Sequence, residues 1–155
     1  MITISPLSPA NFDAVVALRV TDEQRPFVAS NVLSIAQSKI WNYLVPVVIT
    51  ESGSPIGFVL YGEDPESHRV YLVRLMVDHV FQRRGHGAAA IRLILAELQE
   101  AYDCREVFVS VVPGNHIAGR LFRSEGFSPT GETDEDGEVI YYRKLDESGH
   151  PSLVF

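Results

Sequence analysis

Gln82-Arg83-Arg84-Gly85-His86-Gly87 stands between an apolar run, Val70-Tyr71-Leu72-Val73-Arg74-Leu75-Met76-Val77, and a stretch of helical periodicity that opens near Gly87. A helix N-terminus presents unpaired N–H groups and the positive end of the macrodipole, an arrangement that suits phosphate. Glycines let the backbone approach an anion closely and take turns that a Cβ forbids. Arg83 and Arg84 either add positive charge or point into solvent. From the glycines alone, an anion site and a plain strand-to-helix turn fit equally well.

Two other phosphate loops are tested by their spacing. A Walker A loop requires Gly-Lys-Ser/Thr, and the chain has no such triplet. Gly85-His86-Gly87-Ala88-Ala89-Ala90 matches G-x-G-x-x-A, but Asp78 to Arg84 separate it from its strand. The following strand ends in Val112-Pro113-Gly114 without the acid that holds a dinucleotide ribose. The dinucleotide reading is rejected.

Outward from the loop, the elements follow from pattern. Ile2 to Leu7 reads as a first strand. Ser8 is placed to cap a helix carrying Pro9 at its first position, and Phe12, Val15 and Val16 recur at helical spacing. A second helix is expected to open at Pro26, with Val28, Val32, Ile35, Ala36 and Ile40 on one face. The polar connector Thr21 to Arg25 is placed to border a substrate site. Val45 to Thr50 and Ile56 to Tyr61 flank the turn-rich Glu51 to Pro55 and read as a hairpin. Val70 to Val77 is expected at the sheet centre, because it is apolar almost throughout. After the loop, Ile91, Ile94, Leu95, Leu98 and Tyr102 form one helical stripe, and Val107 to Val112 is another central strand. Asn115 suits the N-cap of a short helix bearing Ile117, Ala118, Leu121 and Phe122, which Gly126 stops. Asp136-Gly137 signals a type I′ hairpin turn before Val139 to Tyr142. The order is β-α-α-β-β-β-α-β-α-β-β, an α/β (α+β) arrangement with a mixed sheet and helices on both faces. Residues 1–145 read as a single domain and 146–155 as a tail.

The 155 residues are long enough to bury one core, and 46% hydrophobic with 21% charged content is ordinary for a globular chain. The net charge of −7 argues against a nucleic-acid partner and suits a neutral or cationic substrate. Cys104 is the only cysteine, so no intrachain disulfide forms. The N-terminus lacks a signal-peptide pattern and no apolar run spans a bilayer, so a cytoplasmic location is expected and no membrane partner. The five histidines have no metal-ligand spacing, so no metal is expected. No Ser-His-Asp set is evident.

Two signatures together resemble a family. Gln82 to Gly87 fits the Q/R-x-x-G-x-G/A of GNAT-type N-acetyltransferases. Asn115-His116-Ile117-Ala118-Gly119-Arg120-Leu121-Phe122-Arg123-Ser124-Glu125-Gly126-Phe127 is similar to that family's N-x-x-A-x-x-L-Y-x-x-x-G-F. Ile56 to Gly62 and the strand after it resemble bacterial diamine and spermine/spermidine acetyltransferases. The resemblance implies a mostly antiparallel sheet of about seven strands, split in a V between strands 4 and 5. It implies acetyl-CoA as co-substrate, its pantetheine arm in the split and its pyrophosphate on backbone N–H groups of Gln82, Arg83, Arg84, Gly85, His86, Gly87 and Ala88. A backbone N–H near Met76 and Val77 would stabilise the oxyanion, and Asn115 would either contact the coenzyme or cap its helix. The acceptor would be a primary amine of a small molecule such as a polyamine, attacking directly in a ternary complex. A protein or peptide amine, and a non-catalytic acyl-CoA-binding module, remain as alternatives. Homodimers are common in the family, and the tail Pro151 to Phe155, with apolar Leu153, Val154 and Phe155, packs on a partner, covers its own domain or is disordered.

This chain departs from the family pattern twice. Phe122 stands where the family carries a tyrosine that protonates the departing thiolate; either the thiolate leaves unprotonated, or water or another hydroxyl substitutes, with Tyr141 and Ser124 as candidates that otherwise serve packing or solvent. Val73 stands where polyamine acetyltransferases carry an acid on the central strand. Glu63, just past the third strand, is the candidate base, acting through water, or else a solvated loop acid. The acidic run Glu132, Asp134, Glu135, Asp136 and Glu138 either attracts a polyamine or forms a wet hairpin tip.

Overall fold

Strand β4 (Val70–Val77) organises the molecule because its two edges are treated differently. In the computed structural model, which describes residues 1–146, β4 pairs along its length with β3 (Ser54–Glu63), antiparallel. With β5 (Glu106–Val111) it pairs in parallel at two positions only, Val70 with Val107 and Tyr71 with Phe108. Beyond Tyr71 the two strands part. The seven-stranded sheet includes β1 (Ile2–Pro6), β2 (Leu44–Glu51), β6 (Ser128–Thr133) and β7 (Val139–Lys144), in the order β1-β2-β3-β4-β5-β7-β6. Every neighbouring pair except β4–β5 is antiparallel. The mixed sheet and the split between strands 4 and 5 are therefore as the signatures imply.

The two faces bury different helices. Val47, Ile49, Val59, Tyr61, Val70 and Leu72 pack against α3 (His86–Tyr102), whose Ile91, Ile94, Leu95 and Leu98 are the expected stripe. Each such side chain taken fully from water contributes about 1.5–3 kcal/mol. α4 (His116–Ser124) adds Phe122 to that core. On the other face Val48, Phe58, Leu60 and Met76 meet Val15 of α1 (Phe12–Ala17) and Ile35 of α2 (Asn31–Ile40). Strand alternation supplies both faces from one sequence.

Both N-terminal helices begin later than their sequence signals. Ser8 does not cap α1. Its carbonyl accepts from the N–H groups of Asn11 and Phe12 in a turn, and the Asn11 side chain closes that turn by accepting from the Ser8 N–H at 2.8 Å. Pro26 starts only a 3₁₀ turn, Arg25–Phe27. The cap of α2 is Ser30, extended at φ −62° and ψ 152°, whose side chain accepts from the Leu33 N–H. The later start rotates the buried stripe to Asn31, Ser34 and Ile35, leaving Val32 and Ile40 exposed. Asn31 is satisfied by donating to the Val15 carbonyl at 2.9 Å.

The hairpin turn also differs from type I′. The Gly137 N–H reaches the Asp134 carbonyl, and Gly137 alone takes a left-handed φ of +80°, so Asp134 to Gly137 forms a type I turn ending in a left-handed glycine. The Asp134 carboxylate fixes this choice by accepting from the N–H groups of both Asp136 and Glu138 at 2.9 Å. The tail beginning at 146 lies outside the described residues after its first position.

Gly57 lets β3 and β4 approach at the end of the split. A Cβ there would sit 2.5 Å from the Met76 carbonyl oxygen and 2.9 Å from the Ile49 side chain. Gly57→Ala is expected to destabilise the fold by about 1–3 kcal/mol, seen as a lower urea midpoint with an unchanged slope.

Candidate active site

The separation of β4 from β5 opens a cavity of about 540 Å³. Leu72 to Leu75 line one side; Val109 to Val112, with Asn115, Ala118 and Phe122 of α4, line the other. Below it the glycine loop leads into α3. Arg83 and Gly85 both adopt left-handed backbone, φ +62° and +79°. His86, Gly87 and Ala88 form the first turn of α3, where main-chain N–H groups have no acceptor within the helix. A run of free main-chain donors at a helix start is a nest for an anion.

The loop's side chains mostly serve to hold that backbone. The Gln82 amide donates to the Val77 carbonyl and to the Gln24 side chain, both at 2.8 Å. It thus ties the loop to the end of β4 and to the connector that sequence placed beside the substrate. Arg84 lies over the Phe81 ring at 5.7 Å. The His86 side chain is nearly buried against β2, with Nε2 3.4 Å from a Glu51 carboxylate oxygen and no hydrogen bond to it. Gly87 permits close packing, since a Cβ would lie 3.2 Å from Leu121. Asp78 braces the same end of β4 by accepting from the Arg19 N–H at 2.8 Å.

Asn115 caps α4, its side chain accepting from the Ala118 N–H at 3.3 Å. Phe122 is buried edge-on against Phe127 with centroids 5.3 Å apart. The Tyr141 hydroxyl accepts from Arg123, and Tyr141 lines a separate recess with Gly114, His116 and Arg120. Met76 is buried toward α1 and α2, while the Val77 carbonyl is engaged by Gln82.

Glu63 is not brought to the opening. Its cross-strand partner is Val70, at the opposite end of β4 from Met76, and it lines a different recess with His68 and Tyr102. Position just past a strand says nothing about which end of the sheet that strand reaches. The hairpin acids do reach the opening. Asp134, Asp136 and Glu138 line the cavity, with carboxylate oxygens within 4.8 Å of one another, and Asp64 joins them. Burial, the Asp134 side chain and the charges of Asp134 and Asp136 hold the Glu138 carboxyl above the usual range, partly opposed by Arg74.

Sequence reading also passed over Arg74. Leu60 pairs with Arg74 and Tyr61 with Leu72, so Val73 is a bulge without a cross-strand partner. The bulge turns Arg74 toward α2, where it donates to Ser34 at 3.2 Å and to the Gln37 side chain. Burial lowers the Arg74 pKa, and Glu138 partly restores it. A lone arginine inside an apolar strand was the available signal.

A parallel strand pair that splits, a glycine loop that starts a helix and an open cavity characterise the site. The Acetyltransferase (GNAT) family model matches residues 14–127, and the chain belongs to that family. Spermine/spermidine N(1)-acetyltransferase of Bacillus subtilis strain 168 is 29% identical over 150 residues, covering 93% of this chain and 99% of that protein. The PaiA N-acetyltransferase of Thermoplasma acidophilum, solved with coenzyme A, superimposes with a TM-score of 0.69 at 14% identity, over 94% of this chain and 99% of that one. Aminoglycoside acetyltransferase AAC(6')-Ib with coenzyme A gives 0.77 at 12% identity, over 93% and 95%. No helix among the described residues is long and apolar enough to cross a membrane.

A raised folded-state pKa means that the native protein holds the Glu138 proton more tightly than the unfolded chain. The stability this supplies is full at low pH and is lost as pH rises through the carboxyl's folded range. Glu138→Gln is therefore expected to raise Tm at pH 7–8 relative to wild type and to lose that advantage near pH 4, by scanning calorimetry across pH.

Proposed function

We propose that the protein transfers the acetyl group of acetyl-CoA to a primary amine of a small polyamine, by direct attack in a ternary complex. One observation carries this reading: a single cavity joins the split between β4 and β5 to a wall of carboxylates, Asp64, Asp134, Asp136 and Glu138. The name of the Bacillus subtilis relative supports the acceptor class, and the coenzyme in the solved neighbours supports the donor.

The N–H groups of residues 83–88 would hold the pyrophosphate while the pantetheine arm lies between β4 and β5. A backbone N–H near Met76 and Val77 would receive the carbonyl oxygen as it becomes an oxyanion, a contribution of about 3–4 kcal/mol for one preorganised donor. The acid wall would take the distal ammonium groups and leave one terminal nitrogen at the β4 side. Phe122 carries no proton, so the thiolate leaves unprotonated. An alkyl thiol with a pKa of about 8.5 tolerates this near neutral pH.

Thiol release from acetyl-CoA is expected with spermidine-like amines, accompanied by an acetylated product in mass spectrometry. Coenzyme binding without release for any amine would sink the acceptor half of the reading. Gly85→Val, which places a β-branched residue at φ +79°, should weaken coenzyme A binding more than about tenfold in calorimetry. Phe122→Tyr should leave polyamine turnover within about threefold of wild type, where an essential general acid would give ~10²–10⁴-fold.

A further inference from the structure

An ammonium cannot attack a thioester; the nitrogen must first lose a proton. Glu63, the candidate base in sequence, belongs to another recess, and the hairpin acids would stabilise the charged form instead. What faces the cavity from β4 is a cation. Among the described residues Arg74 has no carboxylate at ion-pair distance; its partners Ser34 and Gln37 on α2 are both neutral. The other charged or titratable groups around the same cavity are Asp134, Asp136 and Glu138 of the hairpin, Asp64 after β3, Tyr43 and Tyr71. The cavity therefore has a negative wall and, two residues along β4 from Met76, a half-buried positive charge.

We propose that Arg74 acts on the acceptor electrostatically, disfavouring the ammonium form of the nitrogen seated at the β4 end so that it attacks neutral without a side-chain base. This rests on the acetyl-transfer reading above. The ammonium gives its proton to water on entering. The lone pair then forms the N–C bond, the C–S bond breaks with its electrons going to sulfur, and the remaining excess proton on nitrogen passes through water to the thiolate. A unit charge about 7 Å from the nitrogen would lower an amine pKa by about one to two units at the effective dielectric of such sites, which is the effect the proposal requires. Neighbouring cations activate amines in this way in other enzymes.

The test is the single-turnover rate of the ternary complex against pH, for wild type, Arg74→Met and Arg74→Lys. The wild-type acid limb is expected about one to two units below the solution pKa of the amine. Arg74→Met should move it up to the solution value, and Arg74→Lys should keep it low. An acid limb that Arg74→Met leaves in place, whatever its rate, overturns the proposal. So does selective loss of carboxylate-bearing amines with polyamine profiles unchanged, which would make Arg74 a carboxylate clamp. Should Arg74→Met fail to fold, the wild-type limb alone decides, since its coincidence with the free amine's pKa also refutes the idea. A panel that turns over another primary amine but no polyamine fails the acceptor reading instead, and the same profiles are then run with that amine. No turnover with any amine overturns both.

Discussion

Two residue pairs hold β4 to β5, and the termination of that pairing after Tyr71 and Phe108 governs the rest of the molecule. A strand edge inside a sheet ordinarily has its main-chain groups paired. Here β4 continues to Val77 against β3 alone, and β5 continues to Val111 against β7 alone. The opening is thus a consequence of strand direction: neither strand is short, but they separate. The loop before α3 leaves β4 at its separated end, so the helix start follows directly from the opened strand.

The two sides of the opening are built by different physics. On the proposed reading the donor side is main chain, held in shape by side chains that face elsewhere: His86 toward Glu51, Gln82 toward Val77 and Gln24, Asn115 along its own helix. The acceptor side is charge, with carboxylates brought in by a hairpin and a guanidinium brought in by a bulge. The partly buried charges of Arg74 and Glu138 interact more strongly than they would in water. An acceptor bound as proposed would be sorted by where its charge lies along the molecule as well as by its total.

Much of this was legible in the residues. The glycine loop, the α3 stripe and the Asn115 cap are local patterns with local causes, and each formed where its residues indicate. The face of α2 was not legible, because Ser30 and Pro26 both carry start signals and only packing against Val15 and Met76 selects the later one. The hairpin acids presented two readings because nothing in Asp134 to Glu138 reveals which way the turn folds over the sheet. The places of Glu63 and Arg74 were hidden for a shared reason. A β-strand has two ends and two faces, and a single bulge at Val73 reassigns the faces of the residues beyond it.

Main-chain donors are common to every amino acid except proline, so a coenzyme cradle made from them leaves almost no signature in the side chains. Only the glycines and the bracing residues are constrained, and these can be exchanged if the backbone path survives. Chains sharing 12–14% of their residues with this one retain its architecture and are solved with coenzyme A. Lineages built on such a cradle are free to redraw the acceptor wall without disturbing the donor, which lets one scaffold diversify its substrates while its energy source stays fixed.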